Sequence, residues 1–175
     1  MKKSNLILYL IIILAAVGTR LIPHLWNFAP VTAIAIFAAV YLPKKQAVAL
    51  PLAVRFVSDL IIGFFYWPLM LAVYLAHLFG VAAGLWIRRK KTVLRVVSAP
   101  VYSALVFFFV TNFAWFYPSY SNDLSGILLA YQNGLPFFRG TLLGDVVYTI
   151  ALIGGYEAAK YAHFRIKNSK LKAAA

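Results

Sequence analysis

Residues 51–65, PLAVRFVSDLIIGFF, form an almost wholly apolar segment with two charged residues in its middle, Arg55 and Asp59. Such a segment suits the interior of a lipid bilayer, yet a charge at that depth costs about 2.5–3.5 kcal/mol even on lenient insertion scales. Arg55 and Asp59 are four residues apart, so on a helix they share one face and can neutralise each other. The segment therefore predicts a membrane helix whose charged face lies against other helices.

The composition of the whole chain agrees with a membrane location. Of its 175 residues, 63% are hydrophobic and only 12% are charged, whereas a soluble domain is about half apolar and about a quarter charged. That length suits one helical bundle, residues 1–175, and no second domain. The chain contains no cysteine, which excludes disulfides, thiolate metal sites and a cysteine nucleophile. We therefore predict an all-α integral membrane protein.

Apolar runs bounded by charges, Pro or Asn predict six transmembrane helices. Their approximate ranges are 5–22, 29–42, 47–66, 68–87, 96–117 and 140–162. A crossing needs about 20 residues; the second range is shorter, and a re-entrant hairpin is its alternative. The start of the chain is also compatible with a cleaved signal peptide. A short amphipathic helix is expected at about 121–134, on the outer face of the membrane.

The basic residues give these helices an orientation. Fourteen of the 17 Lys and Arg residues fall on one side if all six helices cross the membrane. The positive-inside rule then places both termini in the cytoplasm. A re-entrant second segment would put Lys44 and Lys45 outside and break this pattern. The net charge of +13 therefore reflects topology, and we expect the lipid bilayer, and no nucleic acid, as the partner of these charges.

Several polar residues fall in one layer when their depth is counted from the outer end of each helix. At about 1.5 Å per residue, Asp59 lies about 10 Å deep, and Asn112 and Asp145 lie about 8 Å deep. The residues at or near the outer mouth are Arg20, His24, Asn27 and Arg139. Polar groups from four helices thus converge on the outer third of the membrane, as expected for a cavity that opens outward.

Two interpretations of this layer remain. In the first, Arg55 and Asp59 form only an intrahelical pair that helps to lock the bundle. In the second, the layer is a ligand site, which Asp145 and Asn112 favour because neither has an evident partner on its own helix. The predicted ligand-binding residues are Asp59, Asn112, Arg139, Asp145 and Arg20, with His24, Trp26 and Asn27 closing over them and Arg55 and His77 in support. His77 is read as a packed, hydrogen-bonded histidine.

The chain lacks the common signatures of catalysis. It has no HExxH, GxSxG, Walker or GxGxxG motif, so we expect no enzyme. The histidines in or near the bundle are far apart and have no acidic neighbours at ligand spacing, so neither a metal site nor a cofactor is expected. Uptake against a gradient would therefore take its energy from an ion or from a partner protein.

Four segments carry a resemblance to known proteins: RLIPHLWNFAPVTAIAIFAAVYL (20–42), LPLAVRFVSDLIIGF (50–64), FFFVTNF (107–113) and LPFFRGTLLGDVVYT (135–149). Over about Arg20–Tyr156 the chain resembles an uncharacterised family of small bacterial membrane proteins. That family is allied to the substrate-binding S components of energy-coupling-factor (ECF) transporters. The resemblance implies an outward-facing site for a vitamin-type solute in the inner membrane, a lid at residues 23–28, and coupling to a T component with two ATPases.

We therefore predict a multi-pass uptake protein of the bacterial cytoplasmic membrane that binds a small vitamin-like or heterocyclic solute. Aromatic residues beside the polar layer, such as Trp26 and Phe137, would stack on a flat ligand. One alternative is a non-transporting membrane scaffold of the rod-shape-determining type. Another is an ion-coupled carrier that uses Asp59 or Asp145 directly.

Overall fold

The computed structural model describes residues 3–22 and 26–173, and all regular structure in those ranges is helical. The α-helices are α1 (Lys3–Leu21), α2 (Val31–Tyr41), α3 (Lys44–Ile62), α4 (Trp67–Arg89), α5 (Val93–Thr111) and α6 (Leu124–Ala173). A short 3-10 helix, Ala114–Phe116, lies between α5 and α6. The prediction of an all-helical fold is confirmed for these residues, and the bounds of the first five helices differ from the predicted ranges by up to six residues.

The last helix differs more from the prediction. The sequence predicts a short helix at 121–134 separate from a span at 140–162, whereas α6 runs without a break from Leu124 to Ala173. Pro136 lies inside α6 and does not end it. At about 1.5 Å per residue, the 50 residues of α6 extend about 75 Å. The helix is therefore much longer than the ~30 Å of a hydrocarbon core.

Three of the described helices are long and apolar enough to cross a membrane. They are Trp67–Arg89, Val93–Thr111 and Leu124–Ser169, while Leu10–Leu21 and Val31–Tyr41 are shorter apolar segments. The outer surface of the bundle is also apolar: Leu71, Leu75 and Phe79 follow one face of α4 and are each about half exposed. A row of exposed large apolar side chains suits contact with lipid tails, which are as apolar as leucine.

Local sequence sets several helix ends. The residue after Ile62 is Gly63, whose φ of 110° is a conformation that other residues rarely adopt, so α3 ends there. Thr92 caps α5, because its side chain accepts a backbone N–H of the first turn at 3.3 Å. Asp123 caps α6 in the same way, since its Oδ1 accepts the N–H of Gly126 at 2.8 Å.

The core is built around α2, which contacts α3, α4, α5 and α6. Nine of its 11 residues are buried, as expected for a helix that is apolar on all sides. Glycines on α4 let the two helices pack closely: a Cβ added at Gly84 would lie 2.7 Å from the Cβ of Ala39. The remaining helix, α1, packs against α3.

Basic residues cluster at one end of the bundle. Glu157 of α6 lies 2.5 Å from the Nζ of Lys91 and accepts a hydrogen bond of 2.7 Å from the hydroxyl of Tyr41. Arg88 donates to the carbonyl of Leu42 at 2.9 Å. These contacts bring the ends of α2 and α4 beside α6, next to the first residues of α3 and α5. The basic residues at this end are Lys44, Lys45, Arg88, Arg89, Lys90, Lys91 and Arg95.

Candidate functional site

Asp59 of α3 is the centre of a charged cluster. Arg55 donates to its Oδ2 from Nε at 2.8 Å, and Arg20 of α1 donates to its Oδ1 from Nη1 at 3.2 Å. The hydroxyl of Tyr74 on α4 donates to Oδ2 at 3.0 Å. Arg20 also donates to the hydroxyl of Ser58. The predicted pair of Arg55 and Asp59 is therefore present, and Asp59 additionally joins α1, α3 and α4.

The cluster presents its cations to an inner cavity of about 240 Å³. Arg20 and Arg55 both line this cavity, and their side chains are 12% and 13% exposed. Asp59, at 2% exposed, does not line it. Two guanidiniums share one carboxylate, so this wall of the cavity carries a net charge of +1. The sequence analysis expects Asp59 to contact a ligand. In the structure Asp59 instead lies behind Arg20 and Arg55, which separate it from the cavity.

Elsewhere in the lining of the inner cavity, two buried side chains each have an atom without a partner. They are Asp145 of α6 and His77 of α4. Thr32 of α2 also lines this cavity, and its Oγ1 lies 3.2 Å from Nδ1 of His77. Within the described part of the chain, Oδ2 of Asp145 and Nε2 of His77 have no hydrogen-bond partner. Buried polar atoms are nearly always satisfied, so a ligand or ordered water belongs beside them.

The contact between Thr32 and His77 is compatible with either tautomer of the neutral imidazole, because a hydroxyl can accept from Nδ1–H or donate to Nδ1. When Nδ1 carries the proton, Nε2 has a free lone pair. In that tautomer the inner cavity combines two free acceptors, Asp145 Oδ2 and His77 Nε2, with the guanidinium donors of the charged cluster.

A second, outer cavity of about 400 Å³ adjoins the first. The two cavities share Asn27, Arg55 and Phe107 in their linings. Asn112 lines the outer cavity. The aromatic residues in the lining of this cavity are Phe65, Phe107, Tyr117, Tyr120 and Phe137. A ligand can therefore place polar groups in the inner cavity and a flat or apolar group among the aromatic rings of the outer one.

The segment 26–29 lies against α6 beside both cavities. The ring of Trp26 stacks on that of Phe137, with 5.1 Å between the centroids and 24° between the planes. Asn27 has a φ of 60°, in the left-handed region that few residues other than glycine adopt. A Cβ at Gly140 would overlap the carbonyl oxygen of Trp26. Gly140 therefore provides the notch in α6 into which this segment fits.

The structure places the predicted site residues in several positions. Two of them, Asn27 and Arg55, line both cavities, and Asn112 lines the outer cavity. The predicted residues that line the inner cavity are Arg20, Trp26, Asn27, Arg55, His77 and Asp145. Arg139 is exposed and lines neither cavity. His24 lies outside the described residues. Of the predicted set, the structure thus brings together the arginines of α1 and α3 with Asp145 and His77.

Asn112 has a partner that the sequence analysis missed. Its Nδ2 donates to the carbonyl of Phe108, four residues earlier, at 2.9 Å. The expectation that Asn112 lacks a partner on its own helix is therefore wrong. Asn112 follows the last residue of α5, and the same carbonyl also accepts its backbone N–H, at 3.1 Å.

Thr32 and Tyr74 are two of the site residues that the sequence analysis did not select. Thr32 is the only hydroxyl residue within the apolar part of α2, and a lone polar residue in such a helix could have been recognised as a candidate site residue. Tyr74 offered no such signal, because its contact with Asp59 depends on how α3 and α4 pack. Among the described residues, no group of three His, Asp or Glu could hold a metal ion. The side chains present at the cavity supply charge and hydrogen bonds, which suit binding a polar solute.

Comparisons with known proteins identify a family but no individual relative. The model of a family of unknown function, DUF6580, matches residues 1–170. No curated protein and no solved structure matches the chain. The function therefore has to be argued from the geometry of the two cavities.

Proposed function

We propose that this chain, which belongs to the DUF6580 family of unknown function, is a membrane protein that binds a small polar solute in the inner cavity. The observation that carries the proposal is the unpartnered Oδ2 of buried Asp145, in a cavity that two guanidiniums also line. A buried carboxylate oxygen without a partner costs stability. Natural proteins retain such destabilising groups at sites where the function requires them.

The orientation of the bundle supports a site that opens outward. Asp145 and Glu157 are both on α6, twelve residues or about 18 Å apart, and Glu157 marks the basic end of the bundle. The positive-inside rule places that basic end in the cytoplasm. The inner cavity then lies in the outer half of the membrane. We propose that all six helices cross the membrane and that both termini are cytoplasmic.

The proposed activity is uptake of the solute across the bacterial cytoplasmic membrane, in the manner of an ECF S component. A small helical bundle with one polar cavity has no means of hydrolysing ATP, so a T component with its ATPases would supply the energy. The aromatic lining of the outer cavity agrees with a vitamin-like or heterocyclic solute. In this proposal the stack of Trp26 on Phe137 covers the bound solute.

A second candidate is a non-transporting scaffold of the rod-shape-determining type. It is favoured by the Asp59 cluster, which ties α1, α3 and α4 together through protein side chains alone. A scaffold, however, has no use for the free acceptors on Asp145 and His77. The solute-binding function accounts for both features, because the paired Asp59 positions the arginines and the unpaired Asp145 receives the ligand.

The test is to purify the protein from its native membrane in mild detergent and to analyse it by mass spectrometry. The proposal predicts a small molecule that is released on denaturation and is absent from an Asp145→Asn variant. Glu157→Gln, at the other end of α6, is the matched control and retains the molecule. Copurifying T component and ATPases would support the ECF-like activity. Shape or envelope proteins without a released solute would favour the scaffold, and uptake into liposomes without ATP would favour an ion-coupled carrier.

A further inference from the structure

The charges around the inner cavity identify a class of solute. We infer, on the premise that the cavity binds a solute as proposed above, that this solute is a small zwitterion with a carboxylate and a protonated amine. The inference follows from the separation of cationic donors and free acceptors in the lining, from the charge balance of the site, and from the sizes of the two cavities.

The carboxylate would bind to Arg55. Its Nε is bonded to Asp59, while its two Nη groups make no hydrogen bond to any described residue. Arg55 is also one of the residues shared by the two cavities, so its free donors lie where they meet. A guanidinium binds a carboxylate through two parallel hydrogen bonds, which fixes the orientation of the acid.

The amine would bind between Asp145 and His77. Oδ2 of Asp145 and Nε2 of His77 both lack a partner among the described residues, and Nε2 is an acceptor when the proton of the neutral imidazole is on Nδ1. A protonated amine has three donors, so it can satisfy both atoms at once. Its positive charge also neutralises Asp145, which has no cationic partner in the described structure.

Charge balance favours a zwitterion over a singly charged solute. Arg20, Arg55, Asp59 and Asp145 together carry no net charge when all are ionised. A zwitterion keeps that total at zero and gives each excess charge a partner. An anion alone would leave Asp145 unpaired, and a cation alone would leave the excess positive charge of the arginines unpaired. Burying an unpaired charge is strongly unfavourable.

The cavity sizes limit the solute further. The inner cavity, about 240 Å³, is smaller than the ~300–1,000 Å³ of typical ligand pockets. It can hold the amine and the acid of a small solute and little more. A side group would extend past Phe107 into the outer cavity, where Phe65 and Phe137 offer aromatic surfaces. The expected solute is thus amino-acid-like, with a flat or apolar side group.

Binding to sets of three matched probes tests this inference. Each set contains an amino acid, its deaminated acid and its decarboxylated amine, such as L-phenylalanine, 3-phenylpropionate and phenethylamine. Binding is measured calorimetrically on the full chain in lipid nanodiscs. At least one amino acid is expected to bind at least about tenfold more tightly than either of its analogues, because each lost charge removes a charge-assisted hydrogen bond.

Two variants assign the two ends of the ligand. Asp145→Asn should weaken binding of the amino acid at least about tenfold and should not weaken binding of the deaminated acid, which no longer leaves Asp145 unpaired. Arg55→Gln should weaken binding of the amino acid and should not weaken binding of the amine, which no longer leaves an arginine charge unpaired. Arg55→Lys keeps the charge and serves if Arg55→Gln does not fold, as judged by gel filtration. Arg55→Lys should still weaken binding of the amino acid, because lysine cannot form the paired hydrogen bonds with its carboxylate. Glu157→Gln should bind like the wild type.

The outcomes separate this inference from the proposed function. Equal affinity for an amino acid and a singly charged analogue would overturn the zwitterion assignment, as would a solute released from native protein that carries only one charged group. Either result would leave the solute site standing. A panel without any binder, together with no solute released from protein purified from its native membrane, would overturn the solute site itself.

Discussion

Arg20 on α1 and Asp59 on α3 form an ion pair between residues 39 positions apart in the chain, with 3.2 Å from Nη1 to Oδ1. Together with Arg55 and Tyr74 it ties three helices to one carboxylate. Asp145 is just as buried but keeps an oxygen without a partner among the described residues. The two aspartates therefore have separate tasks: Asp59 holds the bundle and its arginines in place, and Asp145 is available to a ligand.

Asp59→Asn is expected to destabilise the protein strongly. The variant removes the one carboxylate shared by two largely buried guanidiniums, and breaking a buried ion pair from one side costs about 3–5 kcal/mol. Thermal unfolding in detergent measures the effect. Glu157→Gln is the control: its pair with Lys91 is about two-fifths exposed and is worth less than about 1 kcal/mol. Equal melting temperatures for the two variants would show that the cluster does not hold the bundle.

Asp145→Asn is expected to behave in the opposite way. Asparagine keeps the shape of the side chain and removes a buried charge that has no cationic partner among the described residues, so the ligand-free stability should stay within about 1 kcal/mol of the wild type or rise. Ligand binding should be lost. The measurement is thermal unfolding alongside the amount of solute released per mole of protein. A loss of stability as large as that of Asp59→Asn would mean that Asp145 has a structural role.

Gly140→Ala is expected to disturb the cover of the cavities. A Cβ at this position would overlap the carbonyl of Trp26, so the segment must shift at a cost of about 1–3 kcal/mol, and a bound solute should dissociate faster. Gly154→Ala on the same helix is the matched control. Its Cβ meets nothing within 4 Å, and alanine in a helix is about 1 kcal/mol more favourable than glycine. Identical dissociation rates and stabilities for the two variants would rule out a notch at Gly140.

The N-terminal turn of α6 is expected to depend on pH in a narrow acidic window. A hydrogen bond from the backbone N–H of Gly126, with others from the hydroxyls of Ser121 and Ser125, lowers the pKa of Asp123 from 3.8 to about 2. Because the pKa is depressed in the folded state, the ionised cap stabilises this turn fully above pH 3.8 and loses its effect as the pH falls through about 2.

Peptic cleavage near Leu124 measures this effect, since pepsin is active across the whole window. The wild type should become more susceptible between pH 3.8 and about 2. Asp123→Asn keeps a capping side chain without a titratable group, so its cleavage should follow only the pH dependence of pepsin itself, and the ratio of wild-type to variant cleavage should rise as the pH falls. An identical pH profile for both proteins would exclude Asp123 as the cause.

Labelling of introduced cysteines tests the proposed orientation, and the natural chain has no cysteine that would interfere. Lys90→Cys and Asn122→Cys place exposed thiols on either side of α5. A membrane-impermeant maleimide should label Asn122→Cys in intact cells and label Lys90→Cys only after permeabilisation, because the positive-inside rule places Lys90 in the cytoplasm. Labelling of both from the same side would contradict a crossing by α5.

The sequence predicted the helices well because long apolar runs bounded by charges leave few alternatives. It failed at residues 134–140, where Gly134, Pro136 and Gly140 suggest a break in a helix that in fact continues. Two of these residues serve packing: a Cβ at Gly134 would lie 2.5 Å from Oδ1 of Asn112, and one at Gly140 would meet Trp26. A glycine required by close packing against another segment and a glycine required by a turn look the same in a sequence.

The candidate site could be predicted only in part for a related reason. The spacing of Arg55 and Asp59 determines their contact on one helix, and the depth count put Asp145 in the same layer. The pairing of Arg20 with Asp59 and of Thr32 with His77 depends on how each helix is rotated about its axis. Hydrophobic periodicity does not define that rotation in a helix such as α2, which is apolar on all sides.

The most direct test of the solute site is a crystal structure of the protein purified from its native membrane without added ligand. We predict non-protein density in the inner cavity, within hydrogen-bonding distance of Oδ2 of Asp145 and of the guanidinium of Arg55. Density that accounts only for water, or an Asp145 carboxylate fully satisfied by protein groups in a closed cavity, would contradict it.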